Sequence, residues 1–209
     1  MNGTVPTKVA RVVTSLLLHP RYISRCLVHN LLQDTSPLEL ELPWFSYAAI
    51  DFLQHFLQPH MTVAEYGSGG STLFFARRVQ GVFCVEDNPE WFEAVSGKLR
   101  ANGIDNVTLR LCPFDFKNPA GFESSGYLRA LPDERFDVVV VDGSEEWTPV
   151  RPVCFEMAEK RVKRGGIVMV DDSWRYPVLR RNNHASGFRV FKSVGPCRPG
   201  VTTTDVFFY

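Results

Sequence analysis

Residues 63–76 read VAEYGSGGSTLFFA: an apolar run, an acid near its end, a burst of glycine and serine, then a second apolar run. The first run, starting at Met61, has the character of a buried strand, and the second, from Ser71, is spaced as a helix capped by Ser71 or Thr72. A strand that turns through glycines into a helix is the opening unit of an open α/β sheet, where ligands sit at the carboxyl ends of the strands. Glycine permits positive φ and close backbone approach, so the turn at Gly67–Gly70 is the expected ligand loop.

Outward from this unit, strands and helices alternate. VFCVE (82–86) is a strand, and NPEWFEAVSGKLRANG (88–103) is a helix with Asn88 as N-cap, Pro89 at its first position and Gly103 as its stop. NVTLRLC (106–112) is a strand, residues 113–134 form a long loop with at most one short helix, and RFDVVVVDG (135–143) is a strand buried on both faces. The next helix runs from a Thr148 cap and Pro149 to Gly165, with Lys160, Arg161, Lys163 and Arg164 at its negative end. IVMVDD (167–172) is another buried strand, and GFRVFKSVG and TTTDVFFY, joined by the turn GPCRPG with no helix between them, form a hairpin. The fold class that follows is α/β, a mostly parallel sheet with an antiparallel edge.

The chain is 209 residues long, 44% hydrophobic and 22% charged, with 23 basic and 23 acidic side chains. That balance argues against a broad nucleic-acid footprint. No apolar run approaches the roughly 20 residues of a membrane span, and five scattered cysteines without a CxxC pattern suit reduced thiols in a cytoplasmic protein. Residues 1–33 carry no acid but include Lys8, Arg11, Arg21 and Arg25, on two helical patterns separated by Pro20. These helices either pack on the main domain or meet a membrane surface or partner protein. DTSPLELELP (34–43) is a linker and WFSYAAIDFLQHFLQ (44–58) a helix, so the expected organisation is an N-terminal helical extension or lid, 1–58, and a ligand-binding domain, 59–209.

Three ligands compete for the glycine loop. A phosphate loop of the Walker type requires a Lys-Ser/Thr pair after its last glycine, which is missing. A dinucleotide loop requires glycine where Thr72 stands. Glu65, two residues before Gly67, would repel a pyrophosphate and suits an ammonium or sulfonium.

EYGSGGST resembles the first motif of the class I S-adenosylmethionine-dependent methyltransferases, an acid-x-Gly-x-Gly loop, and the resemblance extends from Met61 to Tyr209. It implies a doubly wound, Rossmann-like sheet of seven strands in the order 3-2-1-4-5-7-6. It also implies that Glu65, Gly67, Ser68, Gly69, Gly70 and Ser71 hold the methionine part of the cofactor, that Glu86 with Asp87 beside it binds the ribose, and that Asp115 binds the adenine amino group, with Phe114 on the ring. Asp142, at the end of the central strand, corresponds to the motif beside the methyl group, as cofactor contact, base or metal ligand. Asp171 and Asp172 stand where metal-dependent O-methyltransferases carry an Asp-Asn pair, which makes Asp142, Asp171 and Asp172 a conceivable divalent-metal set. The Asn is replaced, and the Lys of the related Asp-x-Asp-Lys motif is Glu145 here, so S-adenosylmethionine is the cofactor expected and a metal is not.

The same resemblance places Arg151 toward an acidic substrate group or a neighbouring acid, and Trp44 over the acceptor pocket. Asp142 and Asp171 are the candidate catalytic residues. His184 is a loop histidine near the expected acceptor, as a base or simply solvated. The expected activity is methyl transfer to a hydroxyl or amine of a small molecule, with no nucleic-acid partner and a homo-oligomer possible. A non-catalytic cofactor-binding module and an NAD(P)-dependent reductase are the rival readings.

Overall fold

In the computed structural model, which describes residues 5–32, 34–144 and 148–209, the strand Thr62–Tyr66 (β1) lies near the middle of one sheet. Its neighbours are Gly81–Glu86 (β2) and Phe136–Val141 (β4), both parallel to it. Val107–Leu111 (β3) extends the sheet beyond β2, and Val162–Val170 (β5) extends it beyond β4. Val201–Phe208 (β7) inserts antiparallel between β5 and Gly187–Val194 (β6). The seven strands therefore stand in the order 3-2-1-4-5-7-6 of a doubly wound sheet, as the resemblance implies, and the sheet is mostly parallel with the C-terminal hairpin that the sequence pattern predicts.

The period of two along each central strand divides the core in two. Ala64, Tyr66, Val139, Val141, Val168 and Val170 face one side, where Phe116, Phe122, Tyr127 and the helix Val150–Arg161 pack on them. Val63, Val138, Val140, Ile167 and Met169 face the other, against a helix spanning Tyr47–Phe56 and one spanning Gly70–Ala76. In chain order the helices are Val5–Leu18 (α1), Ile23–Leu27 (α2), Pro37–Leu40 (α3), Tyr47–Phe56 (α4), Gly70–Ala76 (α5), Pro89–Ala101 (α6) and Val150–Arg161 (α7). A π-helical turn, Val28–Leu32, continues α2. Phe45, Tyr47, Ile50 and Leu53 are fully buried and share their core with the sheet.

Three local expectations are corrected. The expected linker at 34–43 contains α3, closed by a Ser36–Glu39 capping box. Ser36 Oγ accepts from the Glu39 amide, and Glu39 returns the contact to the Ser36 amide, so two otherwise orphaned donors are satisfied. The helix α5 starts one residue before Ser71, at Gly70, with Gly69 as its cap, and the Thr72 hydroxyl accepts from the Gly69 amide. The helix α7 has no side-chain cap and ends at Arg161 rather than at Gly165. Lys163 lies on β5 and pairs with Asp137 of β4 at 2.8 Å, and Gly165, at φ +82°, bends β5 back to the Tyr209 carbonyl. A strand pairing at Val162 outweighs the helical pattern there.

Candidate functional site

At its carboxyl end β1 runs into Gly67, where φ is +95° and a Cβ would lie 2.9 Å from the Asp142 carbonyl oxygen. Only glycine lets the loop pass this close to the end of β4. A Cβ on Gly70 would lie 2.2 Å from the Pro37 carbonyl oxygen and 2.3 Å from that of Leu42, so α3 and the chain after it clamp the loop from the other side.

Glu65 shares the β1 face of Val63, which α5 covers, and only 1% of it is exposed. Its Oε2 accepts from Thr72 Oγ1 at 2.8 Å and from Cys84 Sγ at 3.2 Å. Burial pushes its carboxyl up to about 7, against the opposing hydrogen bonds from Ser71, Thr72 and Cys84. The structure thus sets Glu65 under the loop, holding α5 to the strand, and it lines neither of the two cavities at this end of the sheet.

Glu86 ends β2 and is held by four donors from this chain. Oε2 accepts from the Ser68 amide at 3.0 Å and the Ser68 hydroxyl at 2.6 Å, while Oε1 accepts from the amides of Asp87 and Asn88. Gly67, Ser68, Glu86, Asp87, Phe114 and Asp115 line a cavity of about 460 Å³. Asp115 is exposed at its rim and accepts from the Lys117 amide. Trp91 belongs to the same wall and was not singled out from the sequence. Asn88 caps α6 by accepting from the Trp91 amide, and this aims the indole back at the loop, where Nε1 donates to the Ser68 carbonyl at 2.7 Å. The signal was present in the sequence, as an aromatic three residues after a helix cap that follows a strand-end acid.

A second cavity, about 670 Å³, shares Ser68, Trp91, Asp142 and Gly143 with the first. Its remaining walls include Gly69, Gly70, Ser71, Trp44, Arg151, Asp171, Asp172, Arg175 and Arg198. Arg151 Nη2 meets Asp142 Oδ1 at 3.0 Å, and Arg151 also donates to the carbonyls of Gly143 and Asp171. Arg198 lies 3.5 Å from Asp171 Oδ2 and 3.0 Å from Asp172 Oδ1, with its guanidinium over the Trp44 ring at 4.9 Å. Burial pushes the Asp142 carboxyl up to about 6 despite the two arginines. Burial, with the adjacent Asp142 charge, raises Asp171 well above the usual carboxylate range. At Asp172 burial pulls upward too, but Arg198 and the Thr202 and Trp174 hydrogen bonds outweigh it and hold the carboxyl low.

The three aspartates therefore surround guanidinium groups. Among the described residues no three His, Cys, Asp or Glu side chains are grouped to hold a metal ion. The conceivable metal set does not fit this arrangement, since two arginines already neutralise its oxygens. Glu145, with Glu146 and Trp147 after it, lies outside the described residues. His184 is on another face, exposed and 3.0 Å from Glu159, in a separate concavity with Arg181 and Tyr209.

Residues 64–173, just over half of the chain, match a family model described as a methyltransferase domain. No curated protein matches significantly. Among solved structures, a Klebsiella pneumoniae protein carrying an O-methyltransferase designation superposes with a TM-score of 0.61 at 16% identity, over 97% of this chain and 99% of that one. A Streptococcus mutans protein designated a methyltransferase, solved in complex with SAH, gives 0.57 at 14% identity, over 84% of this chain and 99% of that one. An rRNA methylase from Streptococcus thermophilus gives 0.53 at 17%, over 84% and 98% respectively. At such identities the likeness establishes the fold alone.

Proposed function

The chain belongs to the methyltransferase-domain family, and from that premise we propose that it transfers a methyl group from S-adenosylmethionine to a hydroxyl or amine of a small molecule in the cytoplasm. The observation that carries this reading is the pair of cavities meeting at Ser68, Trp91, Asp142 and Gly143. One carries carboxylates that can accept from a nucleoside's hydroxyl and amino groups, and the other has the volume of a small-molecule site, within the roughly 300–1,000 Å³ usual for such pockets.

The residues present fit the cofactor. Glu86 would accept from the ribose hydroxyls. Its acceptor sites are all occupied by its own chain, so the Ser68 hydroxyl would have to turn away from it. Trp91 and Phe114 would cover the nucleoside, and Asp115 would reach the adenine edge. The Gly67–Gly70 backbone and Asp142 would take the amino-acid end. Bound S-adenosylmethionine supplies an electrophilic methyl on a sulfonium, and its transfer leaves S-adenosylhomocysteine. Asp142 would take the proton that the acceptor loses when its new bond to carbon forms; its position in both cavities and its carboxyl, pushed up to about 6 by burial, support this role. Arg151 holds that carboxylate in place through Oδ1. Trp44, Arg175 and Arg198 orient the acceptor and exclude water around it. All five cysteines are free thiols, which suits the reducing cytoplasm.

Calorimetry with S-adenosylhomocysteine and NAD⁺ tests the cofactor, and transfer of a labelled methyl group to a panel of hydroxyl and amine metabolites tests the reaction. Binding of S-adenosylhomocysteine but not NAD⁺, with turnover that rises with pH through about 6 as Asp142 ionises, is expected. A preference for NAD⁺ would overturn the reading, and binding without any transfer would favour a non-catalytic module.

A further inference from the structure

A cavity of about 460 Å³ lies where α1 packs on β6 and β7. It shares no lining residue with either cavity of the candidate site. Thr7, Arg11, Thr14, Ser15 and Leu18 recur at helical spacing and form its wall on α1. His19, just past that helix, Lys192 of β6 and Val201 of β7 help to close it.

Three basic side chains, Arg11, His19 and Lys192, line this cavity, and no acidic one does. Residues 1–33 contain no acid at all, so nothing local neutralises them. Arg25 and Arg77 show the contrast, since each meets a carboxylate, Asp51 and Glu41 respectively. Among the described residues, Arg11 and Lys192 meet none. Ser15 adds an independent observation. Only 8% of it is exposed, and its Oγ is buried without a hydrogen-bond partner among the described residues. A buried hydroxyl that the fold leaves unpaired is costly, and it is relieved by a ligand that accepts from it.

We propose that this cavity binds a phosphate group. Arg11 and Lys192 supply the charge, and Ser15 and His19 supply further donors. A guanidinium fork, an ammonium and a hydroxyl together match the several oxygens of a phosphate, whereas a carboxylate offers two. Leu18 and Val201 leave an apolar wall for the organic group that the phosphate carries. The site stands independently of the methyl-transfer reading.

Calorimetry at low ionic strength, where exposed charges are least screened, tests this with the full chain. Inorganic phosphate and phenyl phosphate should each bind one to one, and benzoate about tenfold more weakly than phenyl phosphate. Arg11→Gln and Lys192→Gln should each weaken phenyl phosphate about tenfold while S-adenosylhomocysteine affinity stays within about twofold. Lys8→Gln removes a cation of the same helix that does not line the cavity, and should change phenyl phosphate affinity by less than about twofold. Ser15→Ala should weaken phenyl phosphate about threefold without lowering the melting temperature of the unliganded chain, since no internal hydrogen bond is lost. Equal losses in Lys8→Gln and Arg11→Gln would reveal a response to net charge and overturn the site. So would binding undiminished in both Arg11→Gln and Lys192→Gln, or no binding of any phosphate. A lower melting temperature in Ser15→Ala would overturn the part given to Ser15. Phosphatidylcholine vesicles with and without phosphatidic acid separate the sources. Recruitment by phosphatidic acid that Arg11→Gln abolishes identifies a lipid headgroup, and binding of the soluble phosphates alone identifies a soluble ligand.

Discussion

Glu65 shows how much one carboxyl can be committed to structure within a binding loop. Both the Thr72 hydroxyl and the Cys84 thiol point at Oε2, and among the described residues no cation lies beside it to repay the cost of desolvation. Its pKa rises from an ordinary 4.5 to about 7, so the folded chain keeps a proton that the unfolded chain releases. The stability tied to this proton is complete below about pH 4.5 and declines as the pH climbs through about 7. The full span corresponds to about 3 kcal/mol. Glu65→Gln should therefore flatten the fall in melting temperature between about pH 5 and 8 relative to the unmodified chain. Asp142 titrates in the same direction, so the slope should shrink without vanishing. An identical slope in the variant would show that Glu65 is ionised in the fold. From the sequence this residue was legible as an acid at a strand end, but its direction was not. That follows from β1 alternation, which turns Glu65 to the side of Val63 and under α5.

At the scale of elements, the glycine loop is held between two backbones. Asp142 of the β4 terminus touches Gly67, and the carbonyls of Pro37 and Leu42 touch Gly70. Both contacts are with main chain, which cannot swing away as a side chain can. Gly70→Ala should accordingly cost about 2–3 kcal/mol in urea unfolding and weaken S-adenosylhomocysteine binding together with it. A variant of undiminished stability would mean that α3 can lift off the loop. The capping box that builds α3 is readable in the sequence as Ser36-Pro-Leu-Glu39, yet its four residues look like a linker because propensity alone does not sustain so short a helix. The Lys163–Arg164 stretch fails in the opposite sense. Its charges fit a helix end, and only the pairing of Val162 with Phe136 makes it strand.

For the whole molecule, two cores flank one sheet, and the N-terminal segment adds a third, thinner contact. The central strands β1, β4 and β5 are buried on both faces. By contrast, α1 rests on the sheet through Val12 and Leu16 and leaves Val9, Val13, Leu17 and Leu18 exposed. Amide exchange should follow this gradient. The β4 and β5 amides should open only with global unfolding, and those of α1 should exchange at least about a hundredfold faster. Equal protection across α1 and β4 would indicate that something covers the outer face of α1 in solution. Among the described residues no helix is long and apolar enough to cross a membrane.

The sequence by itself determined the alternation of strands and helices, the glycine turn after β1, the acids at the strand ends and the closing hairpin. These are set by periodicity and by turn chemistry, which act over a few neighbouring residues. The tertiary structure alone decided which way those acids face and what they meet. Glu65 is spent on Thr72, Glu86 on Ser68, and Asp142 and Asp172 on Arg151 and Arg198, which come from 9 and 26 positions farther along the chain. Such partners leave no periodic trace, because Arg151 arrives on α7 and Arg198 on the turn between β6 and β7, and only the packing of those elements at the ends of β4 and β5 brings them to the aspartates.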